Sequence, residues 1–187
     1  MLIRNVTLVG RRRAWVFGLG AVLLVVGSVW AASGKAKGGF ARTTIDVGIV
    51  VSDVEKSAAF YKDALGFKEV RGFDVSAEMG GGSGLTDNQA FHVRVLVLGD
   101  DPTATKIKIM QFPDAPGKKV DHRFIHSSLG YSYLTIFVTD TAAALARAKK
   151  AGVMPIKKPY PISRRNGLLT LVRDPDGNII ELVEAGK

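Results

Sequence analysis

His122 and His126 stand four residues apart, a spacing that on a helix turns two imidazoles to one face, where they can hold a metal ion or move a proton. No acidic third ligand shares that frame, and both lie between Pro116 and Gly130, so solvated linker histidines are the simpler reading. His92 opens a segment of strand composition, which favours cross-strand packing or exposure over catalysis. Gly80-Gly81-Gly82-Ser83-Gly84 has the composition of a phosphate loop. Yet no Lys-Ser/Thr pair follows and no helix is expected there, so the stretch reads as a plain loop or a lid. Arg164 and Arg165 precede a strand and either steer an anionic ligand or are solvated. The 187 residues include no cysteine, which excludes a disulfide scaffold, a thiolate zinc site, an iron–sulfur cluster and a cysteine nucleophile.

The ends of the chain differ in character. Residues 1–13 carry Arg4, Arg11, Arg12 and Arg13 and no acid, and residues 14–32 form a 19-residue stretch without a charge. A basic start, an apolar run and a small-residue exit make residues 1–32 a signal peptide or an N-terminal membrane anchor, since the run is also long enough to span a bilayer. Export to the periplasm or outside the cell is expected in either case. Residues 33–43, rich in Gly and Lys, form a flexible spacer. Removing residues 1–31 takes four arginines and no acids, so the net charge of +9 falls to +5. That excess suits anionic ligands or a negatively charged envelope and is no nucleic-acid footprint.

The remainder repeats a pattern. Residues 45–53, IDVGIVVSD, read as a buried strand, and 54–67 read as a helix with Ser52/Glu55 as a capping box or Asp53 as the N-cap, stopped by Gly66. The same order returns 87 residues later, with SYLTIFVTD (132–140) and an Ala-rich helix over 141–152, so that Asp53 maps on Asp140. Strand-like segments follow each helix: 67–73, 91–99 and 105–112 in the first half, and 154–162, 167–174 and 178–184 in the second. A glycine-rich loop (74–90) interrupts the first half, and the Asp174-Pro175-Asp176-Gly177 turn joins the last two strands. Each half therefore reads β-α-β-β-β, and the fold class is α+β.

This pattern resembles the vicinal oxygen chelate superfamily, which includes glyoxalase I, bleomycin-resistance proteins and extradiol dioxygenases. The resemblance is carried by Asp53, Lys56, Ser57, Phe60, Tyr61 and Leu65-Gly66-Phe67, then by Asp174-Pro175-Asp176-Gly177-Asn178 and Glu181-Leu182, over roughly residues 44–185. It implies two modules, 44–112 and 131–185, joined by a basic linker (113–130), whose curled mixed sheets form one cup-shaped pocket. It also implies a monomer or homodimer. Metal-using members place one ligand, usually His or Glu, on the first and last strand of each module, and the matching positions here are Asp46, Lys108, Tyr133 and Glu181. Only Glu181 is of the usual type. Lys108 has donors and no acceptor, and Tyr133 is a poor ligand for a hard cation, so no metal cofactor is expected. A divalent metal is the alternative.

Strand alternation extends this set. With Glu181 facing the cup, Asp46, Lys108, Met110, Tyr133, Thr135 and Phe137 face it too, and Thr170 joins them if Arg173 pairs with Asn178. The Lys108 ammonium is then expected where a metal would sit, held by both the Asp46 and Glu181 carboxylates. Such a cup serves either as a structural ion pair in a vestigial metal cavity or as a binding site. In the second case Lys108 and Tyr133 donate to a ligand oxygen, and Asp46 or Glu181 is the base. The functional expectation is an exported protein that binds a small organic, anionic molecule, with no nucleic acid as partner. Its alternatives are a metal-dependent lyase, isomerase or dioxygenase, and an envelope interaction module that contacts its partner through Lys118, Lys119 and Arg123.

Overall fold

The computed structural model describes residues 39–101, 103–162 and 167–184. The signal or anchor at 1–32, most of the spacer, and Arg164 and Arg165 lie outside the described residues. Among the described residues no helix is long and apolar enough to cross a membrane.

Two four-stranded mixed sheets organise the chain. The first holds β1 (Asp46–Val50), β2 (Lys68–Val75), β3 (Phe91–Val97) and β4 (Lys106–Met110) in the order β1-β4-β3-β2. The second holds β5 (Tyr133–Val138), β6 (Tyr160–Ile162), β7 (Gly167–Arg173) and β8 (Ile179–Glu184) in the order β5-β8-β7-β6. In each sheet the first strand pairs parallel with the last, and the other pairings are antiparallel. A parallel pair cannot be closed by a hairpin, so a crossover must separate its strands, and α1 (Val54–Ala59) and α3 (Thr141–Lys150) supply it. The tandem α+β modules expected from the sequence are present.

Helix entry is set by aspartates in both modules. Asp53 accepts from the Glu55 and Lys56 amides, and Asp140 accepts from the Ala143 amide, so each strand hands its chain directly into a capped helix. Ser52 is free of the capping duty expected of it. Its backbone amide donates to Asp176 Oδ2 at 3.0 Å, and its hydroxyl also bonds the Asp176 carboxylate. Past Ala59 the helix widens over Phe60–Ala64, where the Leu65 amide reaches back to the Phe60 carbonyl, and it ends at Gly66, whose φ is +85°.

The glycine-rich loop contains a helix that its composition conceals. α2 (Ala77–Ser83) is capped by Ser76, which accepts from the Met79 amide, and ends at Gly84 in the left-handed region. Glycine's low helix propensity argues against this, but tertiary fit requires it. A Cβ on Gly81 would lie 2.1 Å from Asn88 Oδ1, and one on Gly80 2.4 Å from Thr86 Oγ1.

One core joins both modules on the helix-bearing faces. Tyr61, Leu96, Ile107 and Ile109 pack in the same cluster as Ile136, Val172, Ile180 and Leu182, with Ala58, Ala144 and Ala148 letting the helices approach closely. Two polar clasps lock the arrangement. Arg147 on α3 donates to the Ala64 and Leu65 carbonyls at 3.1 Å each, satisfying the open end of the first helix. The buried Asp174 carboxylate accepts from the Asp176 amide (3.0 Å), the Asn178 amide (2.8 Å), the Asn178 side chain (2.7 Å) and the Tyr61 hydroxyl (3.2 Å). Burial, reinforced by the Asp174 charge, pushes the Tyr61 phenol well above its ordinary range, so it remains a donor.

Candidate functional site

Strand register decides which side chains leave the core. Ile49, Ile107, Ile109, Ile136, Ile180 and Leu182 point to the helices. Their neighbours therefore occupy the opposite, open faces: Asp46, Gly48 and Val50 beside Lys108 and Met110 in the first sheet, and Tyr133, Thr135 and Phe137 beside Ile179, Glu181 and Val183 in the second. Phe137 is 75 % exposed and Tyr133 is also largely exposed. Thr170 does not join this set. Arg173 pairs with Ile179, not with Asn178, and this one-residue difference puts Thr170 opposite Leu182 on the helix side, where it is buried. Leu171 takes the open-face position across from Glu181.

Lys108 meets one of its two expected partners. Its Nζ lies 3.0 Å from Asp46 Oδ2, while Glu181 accepts a 2.6 Å hydrogen bond from Thr135, its direct partner on β5. Among the described residues no ion pair links Lys108 to Glu181. The carboxylate and the lysine belong to different sheets, and the nearer hydroxyl takes the bond. The second partner of Asp46 is Arg42, at 2.8 Å, from the segment read as a spacer. Arg42 and Asp46 are four residues apart and of opposite charge, the signal that locates this pair in the sequence.

The Asp46 side chain is 12 % exposed and that of Lys108 is 34 % exposed. Burial alone would raise the Asp46 carboxyl, but Lys108 and Arg42 together outweigh it and hold the group below the usual carboxylate range. Two cations on one carboxylate leave a local excess of one positive charge. The buried Oδ1 of Asp46 has no hydrogen-bond partner.

A crevice of about 580 Å³ opens beside this carboxylate, between the free edges of β1 and β5, bordered by Ile45, Asp46, Val50, Tyr131, Tyr133 and Ile179. Asp46 and Tyr133 thus share one cavity. Lys108, Met110, Thr135, Phe137 and Glu181 stand on the open faces and do not line it. A larger groove of about 680 Å³ lies on the helix side around Lys56, Phe60, Asp63 and Met154. It shares no lining residue with the crevice, and its lysine is already paired with Asp53 at 3.0 Å.

The other sequence candidates disperse. His122 and His126 lie in a segment without helix, where the His126 ring stacks on Phe124 with centroids 5.6 Å apart. His92 pairs across β2 and β3 with Asp74, 2.7 Å away.

The donor set does not suit a divalent cation. Lys108 offers three N–H groups and no lone pair, the Asp46 carboxylate is engaged by two cations, and Glu181 is bonded to Thr135. Among the described residues no three His, Cys, Asp or Glu side chains are grouped to hold a metal ion.

Comparison with known proteins places this geometry. Residues 42–182 match the family model of the Glyoxalase/Bleomycin resistance protein/Dioxygenase superfamily. The chain belongs to that superfamily. Lactoylglutathione lyases from two Neisseria meningitidis strains are 23 % identical to it over 134 residues, covering 72 % of this chain and 84 % of theirs. A glyoxalase family protein from Bacillus cereus superposes with a TM-score of 0.66 at 24 % identity, covering 81 % of this chain and 99 % of that one. Glyoxalase I from Zea mays gives 0.59 at 17 % identity, over 77 % of this chain and 45 % of its own. These structural likenesses show the fold.

Proposed function

We propose that this superfamily member is exported and binds a small organic anion at the Asp46–Lys108 crevice without a divalent metal. The observation that carries this reading is the 3.0 Å contact of Lys108 with Asp46, at positions where the family resemblance implies metal ligands. The unbalanced positive charge around Asp46 attracts an anionic group, with the Lys108 ammonium one ion pair behind the crevice wall, while the Tyr133 phenol supplies a donor and Ile45, Val50 and Ile179 provide an apolar wall. Binding is favoured over proton abstraction, because a carboxylate held below its ordinary range is a weak general base. Export rests on the basic start and the uncharged stretch at 14–32.

Titration of the protein with benzoate and phenylphosphonate, followed by NMR, tests this. Saturable shifts at Asp46 and Tyr133 are expected, with affinity lowered severalfold in Lys108→Met, through the loss of the local positive charge. Metal analysis after incubation with Mn, Fe(II), Ni or Zn runs beside it. Stoichiometric metal in the unaltered protein replaces this reading with a metal-dependent lyase or isomerase. Uptake only by Lys108→Ala shows that the lysine fills a surviving metal cavity.

A further inference from the structure

The linker between the modules is held as a strap. Arg173, on the open face of β7, donates to the carbonyls of His122 (2.5 Å) and Arg123 (3.0 Å) and to that of Gly177 in the adjoining turn (2.8 Å). The strap's serines tie its own backbone: the Phe124 amide donates to Ser127, while Ser128 donates to the Asp121 carbonyl and Ser132 to the Ile125 carbonyl. These bonds turn the serine hydroxyls onto the strap's own backbone, while its large apolar side chains stand exposed. Leu129 and Tyr131 are fully exposed, and Phe124 and Ile125 are more than half exposed. The four border one shallow depression, so they form a patch.

Charge flanks this patch on one side. Arg123 is paired with Asp121 at 2.9 Å, whereas among the described residues Lys118 and Lys119 have no ion-pair partner. An apolar tip with free lysines beside it matches a bilayer surface that carries anionic headgroups, where aromatic and aliphatic groups enter the boundary region and lysines stay at the phosphate level. A second copy of the chain fits less well. A two-fold contact through this patch would carry each Lys118-Lys119 pair to the far side of the other copy's patch, and the one carboxylate bordering that patch, Asp121, is already held by Arg123.

We infer that the strap Lys118–Tyr131 docks on an anionic lipid surface, with Phe124, Ile125, Leu129 and Tyr131 inserted and Lys118 and Lys119 on the headgroups. Tyr131 borders both this patch and the crevice, whereas Leu129, Phe124 and Ile125 border the patch alone. Such docking complements the uncharged stretch at 14–32, since a chain held at a membrane by its start meets that surface at high effective concentration.

The cysteine-free sequence makes the test direct. Full-length Leu129→Cys, labelled with an environment-sensitive fluorophore, is reconstituted into vesicles of phosphatidylcholine alone or mixed with phosphatidylglycerol. Asp87→Cys serves as the reporter on a different exposed loop. The label at 129 is expected to shift to the blue and to be quenched by nitroxide-bearing lipid in the mixed vesicles, with the label at 87 unchanged. Adding Lys118→Glu and Lys119→Glu is expected to raise the phosphatidylglycerol fraction needed for half the shift severalfold. A label at 129 that stays aqueous in the mixed vesicles overturns the inference. So does a shift that is equal in both lipids and fades as protein is diluted in the bilayer, which would mean that copies of the chain meet there.

Discussion

Lys108 and Asp46 meet at 3.0 Å across two neighbouring parallel strands, with Gly48, the register partner of Lys108, adding no side chain between them. Asp46 also holds Arg42, so one carboxylate anchors two cations from opposite directions along the chain. The arrangement positions the ammonium at the open face while leaving it only partly neutralised.

Removing the lysine charge therefore changes the acid. In Lys108→Met the Asp46 carboxyl rises toward its ordinary value, because burial persists and only Arg42 opposes it. NMR titration of the Asp46 carboxyl in both proteins measures this. An unchanged midpoint would show that the pair is not coupled.

The outer rim of the first module carries a pH-dependent clamp. Arg94 contacts Glu69 at 2.6 Å and Glu55 at 2.7 Å, and Lys62 contacts Glu69 at 2.9 Å. Arg94, against some opposing burial, and Lys62 hold the Glu69 carboxyl at about 2, from an ordinary 4.5. A depressed acid stabilises the fold above its unfolded value and loses that contribution as pH falls through its folded value. Glu69→Gln is expected to cost about 1–3 kcal/mol at pH 7 after allowance for partial exposure. It should also remove the part of the stability loss that wild type shows between pH 4.5 and 2. Denaturant melts at several pH values provide the comparison.

The turn between β7 and β8 depends on its first residue. Asp174→Ala strands two backbone amides, the Asn178 side chain and the buried Tyr61 hydroxyl together. A loss of about 3 kcal/mol or more is expected, because several donors are left unsatisfied at once. Tyr61→Phe removes a single partner and should cost about 1 kcal/mol. Equal losses in urea unfolding would contradict this division.

Arg173 fastens the strap, so Arg173→Leu should release it without opening the core. Trypsin is then expected to cut at Lys118, Lys119 or Arg123 several times faster, with global stability changed far less, since the lost bonds go to loop carbonyls outside the core. Uniformly faster cleavage throughout the chain would instead indicate global unfolding.

The fold was legible because its signals are local. Asp53 and Asp140 mark helix starts, Asp174 to Gly177 marks a turn, and the apolar alternation marks both faces of β1, β4, β5 and β8. The site was legible only as far as parity reaches. Assigning Thr170 required the hairpin register, which a one-residue shift reverses, and the short-range Asp174 bonds to Asp176 and Asn178 that close the turn fix that register by geometry, which residue types alone do not give. The Arg42–Asp46 spacing was open to reading but lay in a segment read as spacer, and α2 was hidden by its glycines, whose places are dictated by Thr86 and Asn88. No local pattern says whether Glu181 turns to Lys108 or to Thr135.

The parallel pairing of first and last strands also imposes an order on assembly. β1 has no neighbour in its own sheet until β4 exists, sixty residues later, and Ser52 and Tyr61 wait for Asp176 and Asp174, 124 and 113 residues further on. Local helices form early, whereas such distant closures carry the loop-entropy cost and come late. A chain emerging from its N-terminal end thus remains unfinished until its last turn and strand arrive. Until β8 closes the second sheet, β5 in its turn has no neighbour in that sheet.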